Sequence, residues 1–164
     1  MAKKVVLAGA CRTAIGKMGG ALSNTPAAEL GSIVIKEALK RAGVPADQVD
    51  HVYMGCVIQA GLGQNVARQA SLNAGLPIET PAVTVNVVCG SGLNCVNMAA
   101  QMIQAGDADI VVAGGSTTLA GAGHILQFGA GTGGTRAGAW SCELPVADHG
   151  ILQGVSQKEC SRIL

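Results

Sequence analysis

The first 115 residues of this chain alternate between short apolar runs and amphipathic segments with helical spacing. The apolar runs, each predicted to be a strand, occupy residues 4–9, 49–56, 82–88 and 108–113. The segments predicted to be helices occupy residues 27–41, 65–74 and 93–104. Nearly continuous apolar strands that alternate with helices are typical of a parallel or mixed sheet covered on both faces. The sequence therefore predicts an α/β fold.

The segment 27–41 has the pattern of an amphipathic helix. Its apolar residues recur at three-and-four spacing on one face, at Leu30, Ile33, Val34 and Ala38. Thr25 is suited to capping the first turn, and Pro26 to the first helical position. Gly43 is suited to the position just past the end of the helix. We therefore expect a helix with sharp limits and one buried face.

The alternation of apolar runs and amphipathic segments stops at about residue 116. Seven of the 20 residues from Leu119 to Gly138 are glycine, and periodicity is lost there. Only one further short helix is predicted, near residues 155–163. We expect one domain over residues 1–115, followed by a Gly-rich, irregular tail over residues 116–164.

Composition excludes several classes of function. A net charge of +1 without a basic run argues against an electrostatic partner such as nucleic acid. No apolar stretch approaches the roughly 18–20 residues of a membrane span, and no signal peptide is recognisable. The six cysteines contain no Cys-x-x-Cys pair, so neither a disulfide framework nor a metal site is expected. We expect a cytoplasmic protein that does not bind membranes.

The most informative stretch runs from Asn86 to Asn94 and contains Cys89. An apolar strand is predicted to lead into Cys89, Gly90 and Gly92 permit a sharp turn, and a helix follows at once. A thiol at a helix N-terminus lies near unpaired N–H groups and the positive end of the helix dipole, which favour a thiolate and a developing oxyanion. This arrangement is that of a nucleophile elbow. A buried structural cysteine at a tight turn is the other interpretation.

The remaining candidates are more readily explained as structural residues. Three further cysteines, Cys11, Cys56 and Cys95, lie in or beside apolar elements and are predicted to pack in the core. His51 lies in a predicted strand, whereas His124 and His149 lie in the tail, where either is a conceivable base for Cys89. The segment 61–65 precedes a helix and is interpreted as a helix-starting turn rather than an anion site.

Several motifs in order resemble the N-terminal part of the thiolase family, in the acetyl-CoA acetyltransferase class. The strongest are Val-Asn-Val-Val-Cys-Gly-Ser-Gly-Leu at 85–93 and Gln-Ala-Gly-Asp-Ala-Asp-Ile-Val-Val-Ala-Gly-Gly at 104–115. Further matches lie at 12–17, 26–31 and 54–69. The resemblance places Cys89 at the position of the acyl-accepting nucleophile, which favours the catalytic interpretation of this residue.

The resemblance implies the N-terminal half of a layered α-β-α-β-α fold. It also implies a reaction in which Cys89 takes an acetyl group from acetyl-CoA and passes it to a second acetyl-CoA, giving acetoacetyl-CoA, or runs in reverse on a 3-ketoacyl-CoA. Coenzyme A thioesters are then substrates, no metal or other cofactor is required, and a homo-oligomer (dimer or tetramer) is expected.

The sequence departs from the family pattern after Gly115. The segment 116–120 differs from the usual Met-Glu-x-Met-Ser, and the tail corresponds to a diverged remnant of the loop domain. The Asn-Glu-Ala-Phe, Gly-His-Pro and Cys-x-Gly-Gly-Gly motifs of the second half do not occur. We therefore expect the chain alone to be weakly active or inactive, and a non-catalytic fragment that acts only by association is the alternative.

Overall fold

A computed structural model of the chain describes residues 4–17 and 20–116. Its helices and strands, in chain order, are α1 (Ala27–Ala42), β1 (His51–Gly55), α2 (Val66–Ala74), β2 (Ala82–Val85), α3 (Ser91–Ala105) and β3 (Val111–Gly115), with a short 3-10 turn at Ala46–Gln48. The predicted helix at residues 155–163 and the remainder of the tail lie outside the described residues.

The strands form a parallel sheet in the order β2-β1-β3. Val52 at the centre of the sheet pairs with Ala82 on one side and with Val112 on the other. Each crossover between strands carries a helix, as parallel pairing requires. The predicted α/β architecture is confirmed, and every strand pairing in the described part of the chain is parallel.

The core is divided between the two faces of the sheet. Val52, Met54 and Val112 point to one face, where they pack against Ile35 of α1 and Ala67 of α2. The alternate strand residues point to the opposite face and pack against α3 in a second cluster, which contains Tyr53, Val85, Cys95, Ala99, Ile103, Val111 and Ala113. Because successive side chains of a strand alternate between faces, each strand contributes to both clusters. The sheet is therefore covered on both faces, as expected.

The prediction of a strand at residues 4–9 is wrong, because the structure has no strand there. Residues 4–9 form no ladder with the described strands. The side chains nevertheless alternate, because Val5 and Leu7 pack against the α3 cluster while Ala8 packs against the α1 cluster. Gly9 runs so close to α1 that an added Cβ would lie 2.3 Å from the Ala38 carbonyl oxygen. Apolar alternation therefore indicated the packing of this segment, but it does not guarantee backbone pairing.

The third strand begins later than predicted, at Val111 rather than residue 108. Asp50 is the cause, because its Oδ2 accepts the N–H groups of Asp109 at 2.8 Å and Ile110 at 2.9 Å. Those donors are thereby committed to a side chain before the ladder starts. The carboxylate joins the amino ends of β1 and β3.

The start and the buried face of α1 also differ in detail from the prediction. Pro26, not Thr25, is the N-cap, and no side chain caps the helix. Ile33 is 49% exposed while Ile35 is 1% exposed, because the buried face is turned towards α2. A Cβ on Gly31 would lie 2.9 Å from the Ala70 Cβ, so this position sets how closely the two helices pack. Gly43 lies just past the end of the helix, as predicted, and adopts the left-handed conformation there.

His51 is a buried titratable group within β1. It is only 8% exposed, its ring lies 4.3 Å from that of Tyr53, and its Nε2 has no hydrogen-bond partner in the described residues. Burial lowers the pKa of His51 below its ordinary value of 6.5. The folded chain therefore holds a neutral imidazole where the unfolded chain takes up a proton.

We predict that acid destabilises the fold through His51. As the pH falls below 6.5, the unfolded state binds the proton first, so the free energy of unfolding drops until the lowered pKa of the folded state is passed. A His51→Phe variant keeps the ring packing and should show a flatter dependence in thermal melts across this pH range. A variant with His124→Asn and His149→Asn is the control, and equal slopes in His51→Phe and wild type would contradict the prediction.

Candidate active site

The segment that contains Cys89 follows β2 at the edge of the sheet where the three strands have their carboxyl ends. Gly55, Val85 and Gly115 end at this edge, and backbone bonds join them to the following residues: Cys56 N–H donates to Val85 O at 3.0 Å, and Ser116 N–H donates to Gly55 O at 2.8 Å. Ligands of open parallel sheets bind outside the carboxyl ends of the strands. The sheet therefore places Cys89 where a site of this fold class is expected.

Cys89 lies in a tight turn that joins β2 to α3. The strand ends at Val85, three residues earlier than predicted, and Gly90 is the N-cap of α3. Gly90 N–H donates to Val87 O at 3.4 Å, which closes the turn. The Cys89 side chain is exposed and its thiol is free. The structure therefore places Cys89 at a strand-to-helix elbow and not in the core.

Val88, immediately before the cysteine, has a strained backbone. Its φ is +56°, a conformation that β-branched residues rarely adopt and that costs about 1–3 kcal/mol. Three hydrogen bonds surround it: its N–H donates to Asn86 Oδ1 at 3.1 Å, and its carbonyl accepts Ser91 Oγ–H at 2.6 Å and Ser91 N–H at 3.1 Å. These hydrogen bonds therefore offset the strain at the residue directly before Cys89.

Gly55 allows α3 to start directly against the end of β1. A Cβ at residue 55 would lie 2.7 Å from Ser91 Cβ and 2.9 Å from Gly92 N. Real Cβ atoms essentially never approach other atoms below 3.0 Å. Only glycine therefore fits at this position without displacing the first turn of α3.

The first turn of α3 has backbone N–H groups without acceptors in the described part of the chain. No side chain caps this helix, and the N–H groups of Gly92 and Leu93 have no acceptor among residues 4–17 and 20–116. Such groups, aligned with the positive end of the helix dipole, attract an anion or a developing negative charge. An exposed thiol directly before them is suited to acyl transfer, in which an oxyanion forms beside the attacking sulfur.

The other cysteines of the described region are buried, as the sequence predicts. Burial raises the pKa of Cys95 to about 12, and desolvation likewise raises that of Cys11, whose thiol donates to Val34 O. Cys56 is 1% exposed. Because thiolates are the reactive form, the raised pKa values make Cys11 and Cys95 unreactive near neutral pH, and burial shields Cys56. Cys89 is the one accessible thiol of the described part. Cys142 and Cys160 lie outside it.

None of the candidate histidines is brought to Cys89 in the described region. His51 is at the amino end of β1, four residues from Gly55, which is about 13 Å along a strand. Its role is structural, as expected. His124 and His149 lie outside the described residues. Residues 4–17 and 20–116 also contain no group of three or more side chains that could bind a metal ion, and no helix there is long and apolar enough to cross a bilayer.

The segment 61–65 forms a helix-starting turn, as interpreted from the sequence. Asn65 is the N-cap of α2, where its Oδ1 accepts Arg68 N–H at 3.0 Å and its Nδ2 donates to Ala82 O at 2.9 Å. Arg68 in turn donates to the carbonyls of Ile78 and Thr80, both at 2.7 Å. These polar side chains fasten α2 to β2 and to the loop before it.

Sequence reasoning missed the structural roles of Gly55, Asn86 and Ser91. Asn86 and Ser91 lie in the motif that contains Cys89, and Gly55 lies in the match at 54–69. A glycine at the end of a predicted apolar strand, immediately before a loop, was the available signal for a close backbone approach. Nothing in the pattern indicated that Val88 would adopt a positive φ.

Comparisons with known proteins agree on one family. The family model described as "Thiolase, N-terminal domain" matches residues 5–146. An acetyl-CoA acetyltransferase of Syntrophomonas wolfei is 58% identical over 126 residues, which is 77% of this chain and 32% of that protein. An acetyl-CoA acetyltransferase of Cupriavidus necator is 51% identical over 151 residues, 92% of this chain and 37% of that protein. The chain thus spans about a third of the length of the curated relatives it matches.

A solved structure supports the same assignment. The crystal structure of a thiolase from Ascaris suum in complex with coenzyme A matches with a TM-score of 0.71 and 41% sequence identity. The match covers 72% of this chain and 31% of that chain.

We predict that Gly55→Ala destabilises the fold and displaces the elbow. The added Cβ would overlap Ser91 and Gly92, and relieving such an overlap costs about 1–3 kcal/mol. Chemical denaturation should show this loss in the free energy of unfolding. Gly16→Ala is the matched control, because its Cβ would make only ordinary contacts, at 3.4 Å from Leu22. Equal stability of the two variants would count against the close approach.

Proposed function

The chain belongs to the thiolase family, and from that premise we propose that Cys89 accepts an acyl group from a coenzyme A thioester. The observation that carries the proposal is the exposed, free thiol at the elbow directly before the uncapped start of α3. The relatives are named acetyl-CoA acetyltransferases, and the Ascaris suum structure contains coenzyme A. These names support acetyl-CoA as the acyl donor.

The first half-reaction uses groups that the described region contains. The Cys89 sulfur, as thiolate, attacks the thioester carbonyl carbon of acetyl-CoA, and the oxygen gains negative charge. When this oxyanion collapses, the carbonyl re-forms, the bond to the coenzyme A sulfur breaks, and coenzyme A leaves as a thiolate that takes up a proton. The N–H groups of the first turn of α3 are suited to stabilising the oxyanion.

The second half-reaction needs a proton acceptor. A second acetyl-CoA must lose a proton from its methyl group before its carbon attacks the acetyl carbonyl on Cys89. The new C–C bond forms, the bond between the acetyl carbon and the Cys89 sulfur breaks, and acetoacetyl-CoA is released with Cys89 as a thiolate. A positioned base contributes about 10²- to 10⁴-fold to such a step, and no described histidine lies near Cys89. We therefore propose that this chain acquires an acetyl group from acetyl-CoA but condenses two acetyl-CoA, or cleaves acetoacetyl-CoA, only weakly or not at all by itself.

Other parts of the proposal rest on the sequence and the family. Coenzyme A thioesters are the substrates, and neither a metal nor a prosthetic group takes part. The protein acts in the cytoplasm and binds neither nucleic acid nor membranes.

The surface beside Cys89 favours association of the chain with further copies of itself. Three apolar side chains at the elbow and the start of α3 are exposed: Val87 by 50%, Leu93 by 58% and Val88 by 62%. Clustered exposed apolar groups mark interaction surfaces. This supports a homo-oligomer, and it equally supports the second candidate function, a non-catalytic thiolase-like protein that acts only by association.

We predict that incubation with radiolabelled acetyl-CoA places the label on Cys89. Peptide mapping of the protein after acid quenching identifies the labelled residue. Cys89→Ala should abolish the label, whereas Cys95→Ala, which removes a buried thiol, should retain it. A folded wild-type protein that takes no label on Cys89 would overturn the proposed acyl acceptor and leave the associative function.

We predict that the chain is oligomeric in solution and that Leu93→Gln weakens the association. The substitution removes an exposed apolar group beside the elbow, so less free energy is gained when that surface is buried between copies of the chain. Light scattering over a dilution series measures the change. Ile78→Gln is the control, because this residue is 71% exposed but precedes the opposite end of β2. A wild-type monomer at all concentrations would contradict the prediction.

A further inference from the structure

Asn86 connects the elbow to the loop that follows β1. Its Nδ2 donates to Val57 O at 2.9 Å, and its Oδ1 accepts Val88 N–H at 3.1 Å. The side-chain amide of Asn86 therefore links the Val57 carbonyl, which lies outside the turn, to the strained residue Val88 within it. Asn86 and Val88 are both exposed, so this contact adds little to the apolar core.

Ser91 holds the other side of Val88. Its hydroxyl donates to Val88 O at 2.6 Å and accepts Val87 N–H at 3.0 Å, and its own N–H also donates to Val88 O. Ser91 is 3% exposed and lies against Gly55, so its position is set by the packing of α3 on β1. The peptide groups before and after Val88 are thus fixed from opposite directions.

The direction in which Cys89 leaves the turn depends on Val88. Valine with a φ of +56° returns to an extended or helical conformation unless its peptide groups are held. Such a change would rotate the next peptide and with it the Cα–Cβ bond of Cys89. Displacing a reacting atom by about 1 Å costs on the order of 10²-fold in rate.

We propose that Asn86 and Ser91 are positioning residues that hold Val88 in the left-handed conformation and thereby aim the Cys89 sulfur at a bound acyl group. The inference rests on the proposed role of Cys89 as the acyl acceptor. Neither residue touches the substrate in this proposal, because both act through the Val88 backbone.

The test compares two reactions of Cys89 in wild type and Asn86→Ala: alkylation by iodoacetamide and acetylation by acetyl-CoA, each followed by peptide mapping. A small reagent that binds nowhere reports exposure and ionisation, whereas acetyl transfer from a bound thioester also requires orientation. In Asn86→Ala we expect acetylation to slow by about 10- to 100-fold while alkylation changes by less than about threefold. Asn73→Ala, which removes an exposed asparagine from α2, is the matched control and should behave as wild type.

Ser91→Ala has a matched control of its own. Ser71 is equally buried, at 1% exposure, and its hydroxyl also donates to the carbonyl three residues earlier, Arg68 O, at 2.9 Å. Both alanine variants lose a buried hydroxyl bond, so a general loss of stability affects them alike. Only Ser91→Ala should slow acetylation of Cys89 relative to alkylation.

A Val88→Gly substitution tests the conformational step itself. Glycine adopts positive φ without a steric penalty, so the left-handed turn needs less support. In the Val88→Gly background, Asn86→Ala should slow acetylation by less than about threefold, a clear departure from additivity. An undiminished loss in that background would overturn the proposed route through Val88.

The remaining outcomes separate this inference from the proposed function. If wild type is acetylated and Asn86→Ala is acetylated equally fast, the positioning role is overturned while the acyl acceptor stands. If both reactions of Asn86→Ala slow in parallel and its melting temperature falls, the residue is merely structural and the inference fails. If wild-type Cys89 takes no acetyl group, both proposals fall.

Discussion

The close approach of α3 to the end of β1 is the constraint on which the rest of the site depends. Gly55 leaves no room for a side chain between the strand and Ser91. Because Ser91 is fixed there, its hydroxyl reaches the Val88 carbonyl, and the short turn between β2 and α3 closes with Cys89 on the outside. The exposed thiol is therefore a consequence of backbone packing at the carboxyl end of the central strand.

The same packing separates one exposed sulfur from three buried ones. Cys11, Cys56 and Cys95 lie within the apolar clusters, where burial opposes ionisation of Cys95 most strongly and that of Cys11 as well. Cys89 alone of the four is outside the clusters, beside helix N–H groups that lack acceptors in the described part of the chain. The exposure of Cys89 follows from its position at the elbow and not from its residue type.

The sequence predicted the elements well where side-chain pattern decides structure, and less well where backbone bonds do. The helices and the central strand were found because their apolar spacing matches the burial. The start of β3 was missed because the carboxylate of Asp50, about 60 residues earlier in the chain, accepts the backbone N–H groups of Asp109 and Ile110. The segment 4–9 was predicted to be a strand from its apolar pattern, but pairing also requires a neighbouring backbone. Cys89 was found from its glycines, but Asn86 and Ser91 act through a strained peptide that leaves no periodic signal.

The two carbonyls held by Arg68 limit how the chain can vary in length. One guanidinium group spans Ile78 O and Thr80 O, and Asn65 fixes Ala82 O immediately beyond them. Surface loops commonly tolerate insertions, but one added residue here would pull a carbonyl out of reach or shift the register of β2. The hydrogen bonds of Arg68 thus constrain the length of the loop between α2 and β2 as tightly as pairing constrains the length of a strand.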